Sequence, residues 1–279
     1  MTLGQAFSSA IERLTAAHIP SPRLNAETLL MFTLSCDRAY LFAHPERELT
    51  SEEIAQYDRA LSQRATGIPA QYITGHQEFW GMDFIVGPAV LIPRPETEHL
   101  IETILPRARP LLRPRIVDVG TGSGCIAVAL ARELPEAEVH ATDISAAALE
   151  VARANAARHQ IGGRIQFREA DLLEGLEAGP FDFVVSNPPY VGESEEDGVQ
   201  LEVRKFEPRQ AVFAGTTGLE VIQRLVPQAY HRLKPGGWLV MEISGTIATG
   251  VTALFQEWEQ FSIASDLQGI PRVVSAHRP

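Results

Sequence analysis

Apolar residues in the first quarter of the chain follow the spacing of amphipathic helices. The clearest run has apolar residues three or four positions apart, at Leu3, Phe7, Ile11 and Leu14. This is the spacing of one helix face. A second helix is predicted over residues 24–34, and a third begins at the capping pair Thr50 and Glu53. The pattern predicts an all-helical N-terminal domain over residues 1–75.

The pattern changes between residues 71 and 93. Aromatic and β-branched residues dominate there, namely Tyr72, Ile73, Phe79, Trp80, Phe84, Ile85 and Val86. Such residues favour strands, and the glycines at 75, 81 and 87 favour turns between them. We expect a β-hairpin linker over residues 76–92. In the segment that follows, Arg94, Glu96 and Glu98 are interpreted as a solvated helix start, with acidic side chains at the positive end of the helix dipole.

From residue 115 onwards, short apolar runs alternate with helical patterns. Strands are predicted near residues 116–119, 139–142, 165–167, 181–185, 238–243, 262–266 and 272–276. Helices are predicted near residues 125–134, 146–159, 219–233 and 251–258. This alternation is typical of an α/β fold, in which helices cover both faces of a mostly parallel sheet. Residues 93–279 are therefore predicted to form one α/β domain.

Composition and charge narrow the class of protein. The net charge is −11, from 24 basic and 35 acidic residues, which argues against broad nucleic-acid binding. No stretch approaches the roughly 20 apolar residues of a membrane span. The two cysteines, Cys36 and Cys125, have no metal-ligand spacing and fit a reducing compartment, so a cytoplasmic location is expected. The eight histidines have no ligand spacing either, and no metal is expected.

A glycine-rich loop follows the first predicted strand of the α/β domain. It reads Asp118-Val119-Gly120-Thr121-Gly122-Ser123-Gly124. A dinucleotide fingerprint requires G-x-G-x-x-G, but here the third glycine comes one residue early and Cys125 stands at the fingerprint position. The phosphate-binding loop G-x-x-x-x-G-K-[ST] is absent as well. A ligand without phosphates fits better, and G-x-G-x-G is typical of S-adenosylmethionine binding; the alternative is a glycine-rich connector.

Two acidic residues follow the next predicted strands. Asp143 lies about 20 residues beyond the glycines, where a carboxylate can accept both hydroxyls of a ribose. The alternative is a helix N-cap, a role for which Ser145 competes. Asp171 can meet an adenine amino group while Leu172 covers the ring, although Asp171 could equally cap a turn. Both sites are candidates for cofactor binding.

A rigid polar corner ends the predicted strand at residues 181–185. It consists of Asn187, Pro188, Pro189 and Tyr190. The two prolines cannot donate to a sheet and disfavour helix at the residue before each, so Asn187 is held extended. The alternative is an ordinary proline-rich turn. Because this corner and the acidic sites all follow predicted parallel strands, we expect them at the ligand-binding edge of the sheet.

These motifs together resemble class I methyltransferases that act on the nitrogen of a planar amide or amine. Within that group, the sequence resembles the bacterial release factor glutamine methyltransferases over essentially its whole length. The shared stretches are Phe79-Trp80-Gly81, residues 91–98, the glycine loop, Ser186-Asn187-Pro188-Pro189-Tyr190 and Phe206-Glu207-Pro208. The resemblance implies a Rossmann-like, mostly parallel seven-stranded sheet with a C-terminal antiparallel strand.

The resemblance also implies a reaction. The methyl donor would be S-adenosyl-L-methionine, which leaves as S-adenosyl-L-homocysteine. The acceptor would be the glutamine of the Gly-Gly-Gln motif in class I peptide chain release factors, so that the enzyme modulates translation termination. Asn187 would lie beside the cofactor. The Asn187 side-chain oxygen and the Pro188 carbonyl would each accept one N–H of the glutamine amide. Pro189 would fix the corner, and Tyr190 would stack on the amide.

Two other functions remain open at this stage. The same corner could present an exocyclic amine of adenine or cytosine in DNA or RNA, although such an enzyme must extract its base and usually carries a basic surface. A non-catalytic cofactor-binding protein is the second alternative, against which the intact Asn187 corner speaks. We expect a monomer without stable nucleic-acid binding.

Overall fold

The structure, a computed structural model, describes residues 1–279. The chain forms two compact units. The first consists of Met1–His76 together with Leu201–Phe206, and the second consists of Gln77–Gln200 together with Glu207–Pro279. A short helix from the second half of the sequence thus belongs to the N-terminal unit.

Apart from His76 and an isolated bridge between Thr2 and Glu48, the regular secondary structure of the first unit is helical. Its helices are Leu3–Ala16, Pro22–Leu34, Arg38–Ala43, Ser51–Ala65, Ala70–Thr74 and Leu201–Phe206. The predicted capping box of Thr50 and Glu53 is present, and it begins the fourth of these helices. The second helix begins at Pro22, two residues before the predicted start, because proline is compatible with the first helical turn.

Buried Arg64 explains why Leu201–Phe206 belongs to this unit. Its guanidinium donates to Glu202 at 2.6 Å, to Asn25 at 2.6 Å and to the Ile68 carbonyl at 3.1 Å. A buried guanidinium is costly unless its donors are satisfied. These contacts satisfy Arg64 and attach the short helix to the helical unit.

The hairpin that follows Ala70–Thr74 along the chain is shorter than the sequence pattern indicates. Strands β1 (His76–Phe79) and β2 (Met82–Ile85) form it, joined by a two-residue turn at Trp80 and Gly81. Both turn residues have positive φ, 53° and 65°, as hairpin turns of this length favour. The prediction that Tyr72 and Ile73 belong to the hairpin was wrong. They lie in the helix Ala70–Thr74, where Ile73 packs against the apolar core of the helical unit.

The second unit is built on a seven-stranded sheet. Its strands are β3 (Arg115–Val119), β4 (Glu138–Asp143), β5 (Ile165–Glu169), β6 (Phe181–Ser186), β7 (Leu233–Glu242), β8 (Glu259–Ser265) and β9 (Pro271–His277). Their order is β5-β4-β3-β6-β7-β9-β8, and β9 alone runs antiparallel to the other six strands. The predicted α/β, Rossmann-like fold, with its antiparallel C-terminal strand, is confirmed.

Helices cover both faces of this sheet. They are Glu98–Ala108, Cys125–Glu133, Ala146–Arg158, Arg209–Val212, Glu220–Arg232 and Ala248–Thr252. Successive strand residues face opposite cores: Ile116 belongs to one, and Val117 belongs to the other. This alternation is the period-two pattern of a strand that is buried on both faces.

The predicted helix at residues 251–258 was wrong in its extent. The α-helix covers Ala248–Thr252 and continues only as a 3₁₀ turn to Phe255. Trp258 lies beyond it and packs against Phe255 and Tyr230, with ring centroids 5.4 and 5.3 Å apart. The apolar spacing of four and then three residues resembles a helix, but it reflects packing of the segment against the second core.

The order of the strands decides where a ligand can bind. From β3 the chain moves outward to β4 and β5, and then returns to β6 on the other side of β3. Open α/β sheets bind ligands at the carboxyl ends of the strands where the direction of winding reverses. In this chain the reversal lies between β3 and β6, which end at the glycine loop and at the Asn187 corner.

Candidate active site

A cavity of about 320 Å³ lies at this edge of the sheet. All its lining residues belong to the second unit. They include these candidates from the sequence: Gly120, Thr121, Gly122, Ser123, Asp143, Asp171, Leu172, Asn187 and Pro189. Residues that the sequence did not single out as ligands also line the cavity, among them Val90, Arg94, Thr97, Gln210, Phe213 and Arg224.

The glycine loop needs its glycines for two different reasons. Gly120 and Gly122 have φ values of 71° and 55° with open space around the Cα hydrogens, so their requirement is conformational. Gly124 has φ 80°, and a Cβ there would come within 3.0 Å of the Ala152 Cβ. The Gly120 and Thr121 N–H groups both donate to the Thr142 carbonyl, at 2.9 Å each, which folds the loop onto the end of β4.

Asp118, near the end of β3, holds the glycine loop through hydrogen bonds. The carboxyl group is fully buried, accepting from the Thr121 hydroxyl at 2.5 Å and the Ala127 N–H at 3.2 Å. Both donors meet the same oxygen, and the other oxygen is buried without a hydrogen-bond partner. Burial raises the pKa of Asp118 to about 7, because the charged form loses its hydration.

Asp143 lies between the glycine loop and the next helix. One carboxylate oxygen accepts the Gly122 N–H at 2.8 Å, and the other accepts the Ser145 N–H at 2.9 Å. Ser145, not Asp143, caps the helix Ala146–Arg158, since its hydroxyl accepts the Ala148 N–H. Burial raises the pKa of Asp143. Each carboxylate oxygen has two acceptor positions, so capacity remains for hydroxyl groups of a ligand.

Asp171 and Leu172 form another part of the cavity wall. The Asp171 carboxylate accepts from the Arg224 guanidinium at 2.6 Å. Leu172 has φ 56°, a left-handed conformation, and its carbonyl accepts the Thr142 hydroxyl at 2.9 Å. No motif in the sequence indicated Arg224, which is 53 positions from Asp171 along the chain.

The Asn187 corner begins where β6 ends. The Ser186 hydroxyl donates to the Val119 carbonyl at 2.7 Å, which joins β6 to the neighbouring β3. Asn187 and Pro189 line the cavity, whereas Pro188 is buried and Tyr190 packs against the second core. The structure therefore brings only two of the four corner residues to the cavity wall.

Residues 92–98 are bound to distant parts of the chain through three acidic side chains. Buried Glu207 accepts the Ile92 N–H at 3.0 Å and also pairs with the Arg94 guanidinium. Glu98 accepts the Trp80 N–H of the hairpin turn at 2.8 Å. The Thr97 hydroxyl donates to buried Glu242 at 2.6 Å. The interpretation of this segment as merely a solvated helix start was wrong, because several of its side chains bind distant residues.

The structure shows neither a metal site nor a membrane-spanning helix. No group of three or more His, Cys, Asp or Glu side chains is arranged to hold a metal ion. No helix combines the length and apolar character needed to cross a membrane.

Known families and proteins resemble the chain in both units. The PrmC N-terminal domain family matches residues 5–75, and the methyltransferase small domain family matches residues 95–204. Among solved structures, a 16S rRNA methyltransferase of T. thermophilus in complex with AdoMet and guanosine aligns with a TM-score of 0.52 at 21% identity. That alignment covers 73% of this chain and 50% of the other, and it supports the fold alone.

Two curated relatives extend over almost the whole chain. The release factor glutamine methyltransferase of Koribacter versatilis is 58% identical, covering 100% of this chain and 99% of the relative. The protein of the same name from Nitratidesulfovibrio vulgaris is 42% identical, covering 99% and 95%. Identity at this level over both units confirms the resemblance drawn from the motifs. The chain belongs to the family of release factor glutamine methyltransferases.

Proposed function

We propose that this chain methylates the side-chain amide nitrogen of the glutamine in the Gly-Gly-Gln motif of class I peptide chain release factors, and thereby modulates translation termination. The observation that carries the proposal is the position of Asn187. Its side chain lines the same cavity as the glycine loop and Asp143. A group that can bind an amide therefore lies beside a site that suits the methyl donor.

The donor side of the cavity fits S-adenosyl-L-methionine, which supplies an electrophilic methyl group when bound and leaves as S-adenosyl-L-homocysteine. Gly120, Thr121, Gly122, Ser123 and Gly124 would let the ligand approach the backbone. Asp143 would accept the ribose hydroxyls, Asp171 would accept the adenine amino group, and Leu172 would cover the ring. The remaining acceptor capacity of Asp143 and the open space at Gly120 and Gly122 support this assignment.

The acceptor side positions a weak nucleophile. An amide nitrogen shares its lone pair with the carbonyl, so alignment with the methyl group matters more than a strong base. The Asn187 oxygen and the Pro188 carbonyl would accept the two N–H groups of the glutamine and stabilise positive charge on the nitrogen. Pro189 would keep the corner rigid. For Tyr190 to stack on the amide plane, as the resemblance implies, its ring would have to reach the cavity wall, which it does not line in this structure.

One experiment tests the acceptor directly. The purified chain is incubated with methyl-labelled S-adenosylmethionine and a release factor, either wild type or with the Gly-Gly-Gln glutamine replaced by alanine. Label is expected on the wild-type release factor only. Label on the replaced factor would contradict the assignment of the glutamine, and label on RNA in place of protein would favour the nucleobase alternative.

The proposal includes the setting in which the enzyme works. We infer a cytoplasmic monomer that binds no nucleic acid stably. Its net charge of −11 supports the last point, because general nucleic-acid binding depends on basic surfaces. The unpaired cysteines Cys36 and Cys125 are compatible with a reducing compartment. Light scattering of the purified chain tests the oligomeric state, since a monomer must give the chain mass of 30.6 kDa.

A further inference from the structure

A chain of three hydrogen bonds joins the Asn187 corner to a buried carboxylate. The Asn187 side-chain nitrogen donates to the Thr97 hydroxyl oxygen at 3.1 Å. The Thr97 hydroxyl donates to one oxygen of Glu242 at 2.6 Å, and the Tyr190 hydroxyl donates to the other oxygen at 3.0 Å. Thr97 and Glu242 are each only 2% exposed, so water does not compete for these bonds.

The number of available protons decides which group donates and which accepts in each of these hydrogen bonds. When Glu242 is ionised it can only accept, and Thr97 then gives its single hydroxyl proton to Glu242. The Thr97 oxygen can then only accept a hydrogen bond from Asn187. The two ends of an asparagine amide have nearly the same shape, and their orientation is decided by the hydrogen-bond network. The network therefore requires the Asn187 NH₂ group to face Thr97.

We propose that Thr97 and Glu242 are positioning residues that keep the carbonyl oxygen of Asn187 turned toward the cavity. This inference rests on the proposed function, in which that oxygen accepts an N–H of the glutamine amide. If the Asn187 amide rotated by half a turn, its NH₂ group would meet the NH₂ group of the substrate. Two donors would then face each other, and the nitrogen would lose the partner that orients it.

Thr97 has no other role in the local structure that explains its hydroxyl. It lies at the end of the turn Pro95–Thr97, immediately before the helix Glu98–Ala108, where a threonine commonly caps the helix. Its side chain makes no capping hydrogen bond there. The hydroxyl is instead directed to Glu242 on β7, 145 residues further along the chain.

The orientation of the Asn187 amide depends on the charge of Glu242, and the surroundings of Glu242 influence that charge. Burial raises the pKa of Glu242, and Glu96 raises it further, whereas Thr97, Tyr190 and Arg272 favour the charged form and lower it. Buried Cys125 is also nearby. A protonated Glu242 would become a donor, and Thr97 or Tyr190 would lose its acceptor. As the pH is lowered, turnover should therefore begin to fall at a pH above the ordinary pKa of a glutamate side chain.

The central test replaces the Thr97 hydroxyl by a methyl group. Thr97→Val should lower kcat for the release factor by about 10- to 100-fold, by analogy with the loss of hydrogen-bond partners that orient metal ligands. The dissociation constant of S-adenosylmethionine, measured by calorimetry, should change much less. Thr97→Ser keeps the hydroxyl and should restore most of the turnover. Thr252→Val removes an exposed hydroxyl that bonds only within its own helix, and it should behave as wild type.

A double-mutant cycle separates positioning from general destabilisation. Once Asn187 is replaced by alanine, Thr97 has no amide to orient, so Thr97→Val should reduce kcat little further. Wild-type kcat in Thr97→Val, or losses that multiply in the double variant, would overturn the proposal. If Thr97→Val does not fold, the comparison moves to Glu242→Gln, in which the acid limb of the kcat–pH profile should shift or disappear; an unchanged limb would also overturn it.

A failure of the positioning role can be distinguished from a failure of the assignment of the release factor as substrate. Should the wild-type chain methylate another amide or an exocyclic amine in place of the release factor, the same ratio of variant to wild-type kcat can be measured on that substrate. A large ratio there would preserve the positioning role while the substrate assignment failed. A ratio near one on the substrate that is methylated would refute the positioning role itself.

Discussion

At the residue scale, the site depends on buried polar groups whose partners are fixed. Asn187 is held through its NH₂ group, while its side chain also lines the cavity. Asp143 is held by two N–H groups and keeps acceptor positions for a ligand. Asp118, by contrast, has one buried oxygen without a partner. These three differences in hydrogen bonding predict different effects of substitution.

Replacement of Asn187 by alanine should separate turnover from cofactor binding. The Asn187→Ala variant should lose about 100- to 1,000-fold in kcat, the range for removing one preorganised partner of a developing charge. The dissociation constant of S-adenosylmethionine should rise much less, since the glycine loop and Asp143 are unchanged. Radiolabel transfer measures the first quantity, and calorimetry measures the second. Equal losses in both would contradict the assignment of Asn187 to the acceptor.

Asp118 predicts an unusual dependence of stability on pH. A carboxyl group whose pKa is raised on folding stabilises the folded state fully below its unfolded pKa, and this contribution is lost as pH rises through the folded pKa. For Asp118 the pKa moves from 3.8 to about 7. The free energy of unfolding should therefore decrease with rising pH in this window, by at most about 1.4 kcal/mol per pH unit.

Asp118→Asn should remove that decrease, because asparagine carries no charge. Urea unfolding of the ligand-free chain from pH 5 to pH 8 measures the difference between variant and wild type, which should grow with pH. Glu138, with its pKa lowered to about 2, acts in the opposite direction but only below about pH 4.5, outside this window. A constant difference across the range would show that Asp118 does not titrate there.

At the element scale, the glycine loop couples β3 to two helices. Its last residue, Gly124, precedes the helix Cys125–Glu133 and lies against Ala152 of the helix Ala146–Arg158. Asn155 of the latter helix donates to the Ser123 carbonyl at 2.9 Å and bonds both backbone groups of Ile85 in the hairpin. The hairpin, the loop and this helix are thus connected by a single side chain.

Gly124→Ala should destabilise the chain more than a matched glycine substitution elsewhere. Gly124 and Gly269 have φ values of 80° and 79°, so alanine at either position pays about 1–2 kcal/mol for the left-handed conformation. Only at Gly124 would the new Cβ also lie 3.0 Å from the Ala152 Cβ, whereas Gly269 has open space. Urea unfolding of both variants isolates the steric part. Equal losses would mean that the two helices separate without cost.

At the scale of the whole molecule, charge decides which partners suit the chain. The net charge is −11, and both arginines identified at the cavity are paired with acidic side chains, Arg94 with Glu207 and Arg224 with Asp171. Phosphate binding depends on basic groups that are free to replace counterions. The acidic surface and the paired arginines therefore favour a protein acceptor over a nucleic acid.

The charge predicts that RNA binds poorly. Fluorescence anisotropy with a labelled single-stranded RNA at about 150 mM salt should show an affinity no tighter than the roughly 10⁻⁴ to 10⁻⁶ M of non-specific complexes. Reduction of the salt concentration should strengthen binding only slightly. A steep salt dependence with tighter binding would reveal a basic groove and would revive the nucleobase alternative. Binding of the chain to a fluorescently labelled release factor, measured in the same buffer, is the positive control.

The sequence by itself determined the fold class and nine of the residues that line the cavity. Strand-helix alternation indicated a parallel sheet, and in such a sheet the carboxyl ends of neighbouring strands lie at one edge. The glycine loop, Asp143 and Asn187 could therefore be expected together from the sequence alone. The helical spacing of the first domain and the Thr50 cap were equally local signals. The domain boundaries at residues 75 and 92 remain a prediction from pattern.

Only the tertiary structure decided which partners these residues have. Thr97 meets Glu242, Arg94 meets Glu207 and Arg64 meets Glu202, at sequence separations of 145, 113 and 138. Sequence spacing indicates which residues are neighbours within one helix or strand. Only within such an element does a fixed repeat relate the position of a residue in the sequence to the direction of its side chain. Contacts between elements depend on how the sheet, loops and helices pack. The orientation of Asn187, on which the proposed chemistry rests, belongs to this second kind.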